Sequence, residues 1–275
     1  MKKIGYDNFL QFDAASHTYS DIYGNTDYVS VSGVLKTLSI PFDEKAMSYA
    51  VAKSRITKGS SAIAIRNEQD NVLREWHAKR DNSCVYGTNI HEKLEYYFKT
   101  GFIDAELKAL AESVAKFIGN TGNMMQEVRL YSEAHRIAGT TDICVQRTAR
   151  GNIWDVYDYK TNIERGIEFY SQKKDGTSLN KFMLEPVNHI EDCNYNKYSL
   201  QMSMYAYMME LTYGVQIGRL AILFIDKQMK LHIYPCNYLR NEVMSIFAIR
   251  KSELESKNPT YVDAVEVLDN EENNW

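Results

Sequence analysis

The run ICVQRTARGNIWDVYDYK, Ile143 to Lys160, constrains the fold more than any other part of the chain. Two segments rich in β-branched and aromatic residues flank Arg150-Gly151-Asn152, a composition that makes two antiparallel strands and a tight turn. Side chains at i and i+2 of a strand share a face. Asp158 and Lys160 therefore stand side by side in an otherwise apolar and aromatic strand. Upstream, AGTTD brings Asp142 into the same hairpin. With a two-residue loop (Arg150–Gly151) Asp142 falls opposite Tyr159; with a three-residue loop (Ala149 to Gly151) it falls opposite Asp158. Either count places two carboxylates close together, with Lys160 one pleat further on. Such a pair is repulsive unless a cation lies between its members. Hard oxygen ligands of this kind suit Mg²⁺ or Mn²⁺, and an adjacent ammonium can orient a water or stabilise charge on a phosphate. Taken alone, the Asp-x-Lys strand also reads as a surface hairpin with a solvated salt bridge.

The rest of the chain alternates helices and strands. HTYS and DYVSVSG read as a short hairpin turning at YGNT, followed by a helix through GVLKTL that ends before Pro41. Asp43 is an N-cap for a helix closing at Gly59. A polar helix then runs to a break at Tyr86–Gly87. GTNIHEKLEYYFKTG follows as a compact helix, with Thr88 as candidate N-cap and Gly101 as candidate C-cap. DAELKALAESVAKFIGN is amphipathic, with Leu107, Leu110, Val114 and Phe117 on one face. The strand-rich block covers about 125–162, and an irregular polar insertion occupies about 165–196. KYSLQMSMYAYMMELTYG is a helix ending at Gly214, IGRLAILFIDKQMKLHIYPC gives two strands around Asp226–Lys227, and YLRNEVMSIFAIRKSELES is a last helix. This order predicts an α/β fold, with helices flanking a central mixed sheet. The expected organisation is an N-terminal hairpin and helical arm over 1–80, a core over 81–255 and an acidic tail over 256–275.

The pair AGTTD and DYKT, fifteen residues apart, resembles the core of the PD-(D/E)XK nuclease superfamily with its restriction-endonuclease-like fold. It is more narrowly similar to the RecB-like exonuclease branch. Gly139, Thr140 and Asp142 match its G-[TI]-x-D element, and Asp158, Lys160 and Thr161 its D-x-K-T element. Gly87, His91 and Glu95 match a G-x-x-x-H-x-x-x-E helix, and Gln201 and Tyr205 a Q-x-x-x-Y helix. HTYS…VSVSGVL…PFD also resembles phage-type exonucleases related to the mitochondrial genome-maintenance exonuclease. The likeness covers about residues 10 to 250. Thr141 stands where the family usually has an aliphatic residue, and the proline of the superfamily's name is absent. The resemblance implies a metal-dependent deoxyribonuclease acting as an exonuclease in replication, recombination or repair. His91, Glu95, Asp142, Asp158 and the Tyr159 carbonyl would serve the Mg²⁺ or Mn²⁺. Lys160 would position the attacking water, and Gln201 and Tyr205 would border the site. A structure-specific endonuclease or resolvase, and a non-catalytic DNA-binding protein on the same fold, are the alternatives.

His91 and Glu95, at i and i+4, share a helical face, as do Gln201 and Tyr205. Lys53 and Arg55 in one basic cluster, and Arg74, Lys79 and Arg80 in another, are the candidate DNA contacts, with Trp76 available to stack on a base; a solvated helical face explains the same charges equally well. Glu127 and Glu133, near the strand leading to Asp142, read as ordinary strand acids, with a supporting place behind the metal ligands as the alternative, and Asp155, on the opposite strand face from Asp158, as structural or solvent-facing. The net charge of −4 does not argue against DNA, because five acids of the 263–272 stretch account for more than that excess. The four cysteines are scattered with no Cys-x-x-Cys pair. Relatives that carry an iron–sulfur cluster have one cysteine before the core and three clustered after it, so no cluster is expected. No run approaches a membrane span and MKKIGYDNFLQFD is not a secretory signal. The expectation is a cytoplasmic protein whose partners are DNA and replication or recombination proteins.

Overall fold

The computed structural model describes residues 4–5, 8–13, 16, 18–119, 122–161, 166–172 and 176–257. The acidic stretch from 258 onward and residues 173–175 of the polar insertion lie outside them. Eight strands and six helices are formed among these residues: β1 (Leu10–Asp13), β2 (Thr18–Asp21), β3 (Val29–Ser30), α1 (Val31–Thr37), α2 (Glu44–Arg55), α3 (Ala62–Thr100), α4 (Lys108–Ile118), β4 (Asn123–Ser132), β5 (Ile137–Gln146), β6 (Ile153–Lys160), α5 (Asn194–Tyr213), β7 (Gln216–Ile225), β8 (Leu231–Cys236) and α6 (Arg240–Lys257). None of these helices is long and apolar enough to cross a membrane.

β3 to β8 make one mixed sheet. β4 and β6 run antiparallel to β5, β3 runs parallel to it, β7 runs parallel to β6, and β8 closes the edge antiparallel to β7. The parallel β6–β7 pair requires a crossover, and α5 supplies it. One sheet face packs on α1, α5 and α6 through Val34, Leu200, Met204, Met208, Val243 and Phe247. The other packs on α4 and the last turns of α3 through Ile90, Leu94, Leu110 and Val114. Fully buried aliphatic side chains of this kind contribute about 1.5–3 kcal/mol each. The fold is therefore α/β with a central mixed sheet flanked by helices, as the alternation of segments predicts.

Two details differ from the sequence expectation. The N-terminal hairpin forms between β1 and β2, Leu10 opposite Asp21, instead of between HTYS and DYVSVSG. Asp21 closes the turn after β2 by accepting from the Tyr23 and Asn25 amides, which leaves Val29–Ser30 free to join the main sheet. The break at Tyr86–Gly87 is also absent. α3 runs unbroken for 39 residues, from its Ser61 cap to the left-handed Gly101, and passes through the expected 80/81 boundary. Gly87 is small for a different reason: a Cβ there would come within 2.8 Å of Thr161 Oγ1, where the helix crosses the end of β6.

The N-terminal half of α3 pairs with α2. Gln69 donates to the Lys45 carbonyl and to Ser48, and Arg55 forks onto Glu75 while also reaching Glu68. Asp155, fully buried, is held by Arg147, by the Arg219 backbone and guanidinium, and by the Tyr157 hydroxyl. It is a structural clamp between β5, β6 and β7. Gly139 lets side chains of α5 and α1 lie directly on β5: a Cβ would lie 2.7 Å from Tyr205 Cε1 and 3.1 Å from Val31 Cγ2. Gly139→Ala is expected to destabilise the protein by about 1–3 kcal/mol, read as a lower urea midpoint. An unchanged midpoint would mean that the Tyr205 ring moves aside freely.

Candidate active site

The site forms where β5 changes neighbours. On one edge β4 accompanies β5 along its length, from Ser132–Ile137 to Asn123–Gln146. On the other edge β3 pairs with Ile137–Ala138 and β6 pairs with Ile143–Gln146. Residues 139–142 lie between the two partners, so the sheet opens there into a fork.

Within the fork the pleat also slips. Gly139 of β5 and its partner Leu130 face the α5 side, as does Cys144 further along. Ile143 and Val145 face α3 and α4. An odd-to-even change of face over so few residues breaks strict alternation. The irregularity falls at Glu127 and Asp142, the one position missing from an otherwise continuous β4–β5 register. Glu127 adopts the left-handed φ of 50° that such a kink needs, an unusual state for a residue other than glycine.

The β5–β6 register pairs Ile143 with Tyr157 and Gln146 with Trp154. Continued by one residue, it sets Asp142 opposite Asp158, the outcome of the three-residue loop count. β6 has parted from β5 at this point, and the Asp142 carboxylate fills the gap: its Oδ2 accepts from the Tyr159 amide at 2.6 Å. The N–H and C=O of a strand residue leave the backbone on the same side, so the Tyr159 carbonyl also faces the fork. His91 arrives from α3, its Nδ1 3.3 Å from Asp142 Oδ1 and its ring edge-on to Tyr159. Lys160 donates to Asp158 Oδ2, and its Nζ lies 4.9 Å from the centre of the Tyr198 ring. Gln201 donates to the Tyr205 hydroxyl at 3.0 Å beside this group. Glu95, one turn beyond His91, is paired with Lys99.

The electrostatics are those of a site short of positive charge. The Asp158 and Lys160 side chains keep only 5% and 19% of their exposure. Burial pushes the Asp158 carboxyl up; Lys160 pulls against this and the charge of Asp142 adds to it. Burial alone would lower the Lys160 ammonium, but Asp158 and Asp142 outweigh it and hold the lysine above its ordinary range. The same balance raises His91, where burial is overcome by the hydrogen bond and charge of Asp142. Glu127 remains solvent-accessible as a residue, yet desolvation of its carboxyl and then the charges of Asp142 and Glu95 push it up to about 7.

Two carboxylates, an imidazole and a strand carbonyl are hard-to-borderline donors whose chemistry fits Mg²⁺ or Mn²⁺. Among the described residues no three His, Cys, Asp or Glu side chains surround a common point closely enough to hold an ion as they stand. The donors instead engage Lys160, the Tyr159 amide and one another.

Sequence reasoning placed Asp142, Asp158, Tyr159, Lys160, His91, Gln201 and Tyr205 together, and the fork brings them together. One neighbour, Tyr198, has no role in the sequence reading. Tyr198 lies one helical turn before Gln201, a spacing that could have flagged it. Glu127, for which a supporting place at the site is the alternative to an ordinary strand acid, stands within the field of Asp142 and Glu95 at a positive φ. The basic candidates lie elsewhere, on the α2–α3 arm. Lys53, Arg55, Arg74, Lys79 and Arg80 are all exposed, with Arg55 committed to Glu68 and Glu75, Arg74 to Asn71 and Arg80 to Asp81. Trp76 packs against Phe42.

No protein-family model matches the chain, and no curated protein sequence does. Among solved structures, the chain is similar to a "Putative exonuclease" from Eubacterium rectale, with 12% identity and a TM-score of 0.42 over 85% of this chain and 82% of that one. It is also similar to SSO0001, with 14% identity and a TM-score of 0.36 over 84% of this chain and 77% of that one. Likeness of this degree carries no argument about chemistry, which rests on the geometry of the fork.

Because the folded-state pKa of Glu127 lies above its ordinary 4.5, near 7, the residue contributes stability that is complete below pH 4.5 and is lost as pH rises through 7. Glu127→Gln removes that loss. Without divalent cations and at low salt, its urea midpoint relative to the unmutated protein is expected to climb between pH 4.5 and 7 and then level off. A difference independent of pH would contradict the placement of Glu127 in the carboxylate field.

Proposed function

We propose that the protein is a metal-dependent deoxyribonuclease of the PD-(D/E)XK type, acting as an exonuclease on DNA. The observation that carries this reading is the convergence of Asp142 and Asp158 on one fork with Lys160 and His91 beside them. The sequence resemblance of the same residues to the RecB-like exonuclease branch supports it and supplies the preference for DNA ends. Asp142, Asp158, His91 and the Tyr159 carbonyl would hold Mg²⁺ or Mn²⁺, with Glu95 in support, and the bound ion would polarise a scissile phosphate and make a bound water more acidic.

The protein's own groups do the positioning. The Tyr159 amide fixes one oxygen of Asp142, which sets the carboxylate's orientation before any ligand arrives. Lys160 is held between Asp158 and the face of Tyr198, and its raised pKa keeps it charged at neutral pH. An ammonium has three donors. One is engaged by Asp158, and the others can orient a water for in-line attack or bind a phosphate oxygen as negative charge develops. Gln201 donates to the Tyr205 hydroxyl one turn along α5, which orients both side chains on the helix face beside the fork.

The test is digestion of linear single-stranded, linear double-stranded and closed circular DNA with and without Mg²⁺. Linear substrates are expected to be degraded only with the metal, while circles resist. Cleaved circles would replace the exonuclease reading with an endonuclease. Asp158→Ala and Lys160→Ala are expected to lower the rate by at least about 10²–10³-fold while retaining the far-ultraviolet circular dichroism of the parent protein. Unchanged activity of either variant at matched metal concentration contradicts the assignment.

A further inference from the structure

Tyr198, near the start of α5, turns the face of its ring toward Lys160, whose Nζ lies 4.9 Å from the ring centre. This stretch of helix is pinned on two sides. The Tyr195 hydroxyl donates to the Pro235 carbonyl of β8 at 2.7 Å. Asn194 donates to the Gly166 carbonyl at 2.8 Å and accepts from the Glu168 amide at 2.7 Å, which ties the same turn to the polar insertion. Ser199 and Leu200, the next residues, are buried. Tyr198 itself is half-buried, and among the described residues its hydroxyl makes no hydrogen bond. Its polar contact with the site is made by the ring face.

Two groups hold the Lys160 ammonium, and they differ in kind. Asp158 accepts a hydrogen bond from it and opposes its charge. An aromatic face attracts a cation through its quadrupole, yet it has no net charge with which to neutralise the lysine. The difference matters because Asp158 has a second task on the nuclease reading, as a metal ligand. A carboxylate engaged with a divalent cation is a weaker partner for an ammonium, which that cation also repels. The ring face is not shared with any of the proposed metal ligands. A lysine stem with many rotamers wanders unless something fixes it, and Tyr198 is the holder that stays in place when Asp158 is otherwise engaged.

We propose that Tyr198 is a positioning residue for Lys160: its ring keeps the ammonium in the fork when Asp158 is committed to a cation, and leaves the lysine's charge free for the attacking water or the scissile phosphate. The assignment rests on the nuclease reading and deepens it, by naming the residue that makes the position of Lys160 independent of Asp158. The aromatic ring, and not the hydroxyl, carries the role, so phenylalanine can replace tyrosine here and an aliphatic side chain cannot.

The placement is read first without metal or substrate. Protons held over the face of an aromatic ring are shifted upfield by its ring current. In protein carrying carbon-13-labelled lysine, the ε-methylene signal of Lys160, assigned by its loss in Lys160→Arg, is expected upfield of the other lysines in EDTA. Tyr198→Leu, a helix-compatible change at a half-buried position, is expected to return it to the ordinary lysine range, and Tyr198→Phe to leave it upfield. An ordinary shift in the unmutated protein, or an upfield signal that survives in Tyr198→Leu, overturns the proposal. In Mg²⁺-dependent degradation of linear DNA, Tyr198→Leu is expected to lower kcat about tenfold at unchanged KM, and Tyr198→Phe to restore the rate. Equal losses in the two variants, or full activity in Tyr198→Leu, overturn it as well. The two readings fail separately. A ring-shifted Lys160 in a protein that degrades no DNA with Mg²⁺ overturns the nuclease reading and with it the catalytic purpose of the contact, whereas degradation by a protein whose Lys160 is unshifted overturns the positioning role alone.

Discussion

The hydrogen bond from the Tyr159 amide to the Asp142 carboxylate, at 2.6 Å, is the contact on which the site's arrangement turns. β6 leaves β5 after the Ile143–Tyr157 pair, and an unpaired strand amide next to a packed core is costly unless another acceptor replaces the lost one. Asp142 is that acceptor. By satisfying β6 where the ladder ends, it lets the sheet open without leaving a donor orphaned. The same act fixes the carboxylate beside Asp158 and within reach of His91. The structural need and the chemical arrangement share one side chain.

Around this point the structure accepts local strain and local charge. Glu127 holds a positive φ so that the pleats of β4 and β5 can change phase together, and such states gather where a fold is shaped for something other than its own stability. Burial and mutual repulsion raise the Asp158 and Glu127 carboxyls, so the carboxylate cluster is costly without a compensating cation. Asp155, three residues before Asp158, offers a contrast. It is just as deeply buried, but Arg147, Arg219 and Tyr157 surround it, and its carboxyl is held below the usual range because these hydrogen bonds outweigh the effect of burial. One carboxylate of β6 is fully compensated by the protein itself; the other, at the fork, is not.

Much of this could be read in the sequence because it depends on local periodicity. The two-residue spacing of Asp158 and Lys160 and the four-residue spacings of His91–Glu95 and Gln201–Tyr205 each put named side chains on one face of one element, and the three-residue count of the turn, Ala149 to Gly151, sets Asp142 opposite Asp158. The caps at Asp43, Gly101 and Gly214 were legible for the same reason. What could not be read depends on contacts between distant segments. Gly87 has the composition of a helix break, and only the crossing of Thr161 explains it as a packing glycine inside a continuous helix. Val29–Ser30 reads as the second arm of a hairpin until its parallel pairing with Ile137–Ala138 is seen. No residue pattern announces the left-handed turn of Glu127.

If the fork is a site for a hard divalent cation, the metal itself provides the most direct test. Titration of Mn²⁺ into the protein, followed by the loss of the free-ion electron paramagnetic resonance signal, reports binding independently of any cleavage assay. The account predicts saturable uptake that Asp142→Asn weakens by at least about tenfold, since a neutral amide there both removes a ligand and disturbs the orientation of its neighbours. No uptake by the unmutated protein, or equal uptake by Asp142→Asn, would contradict it.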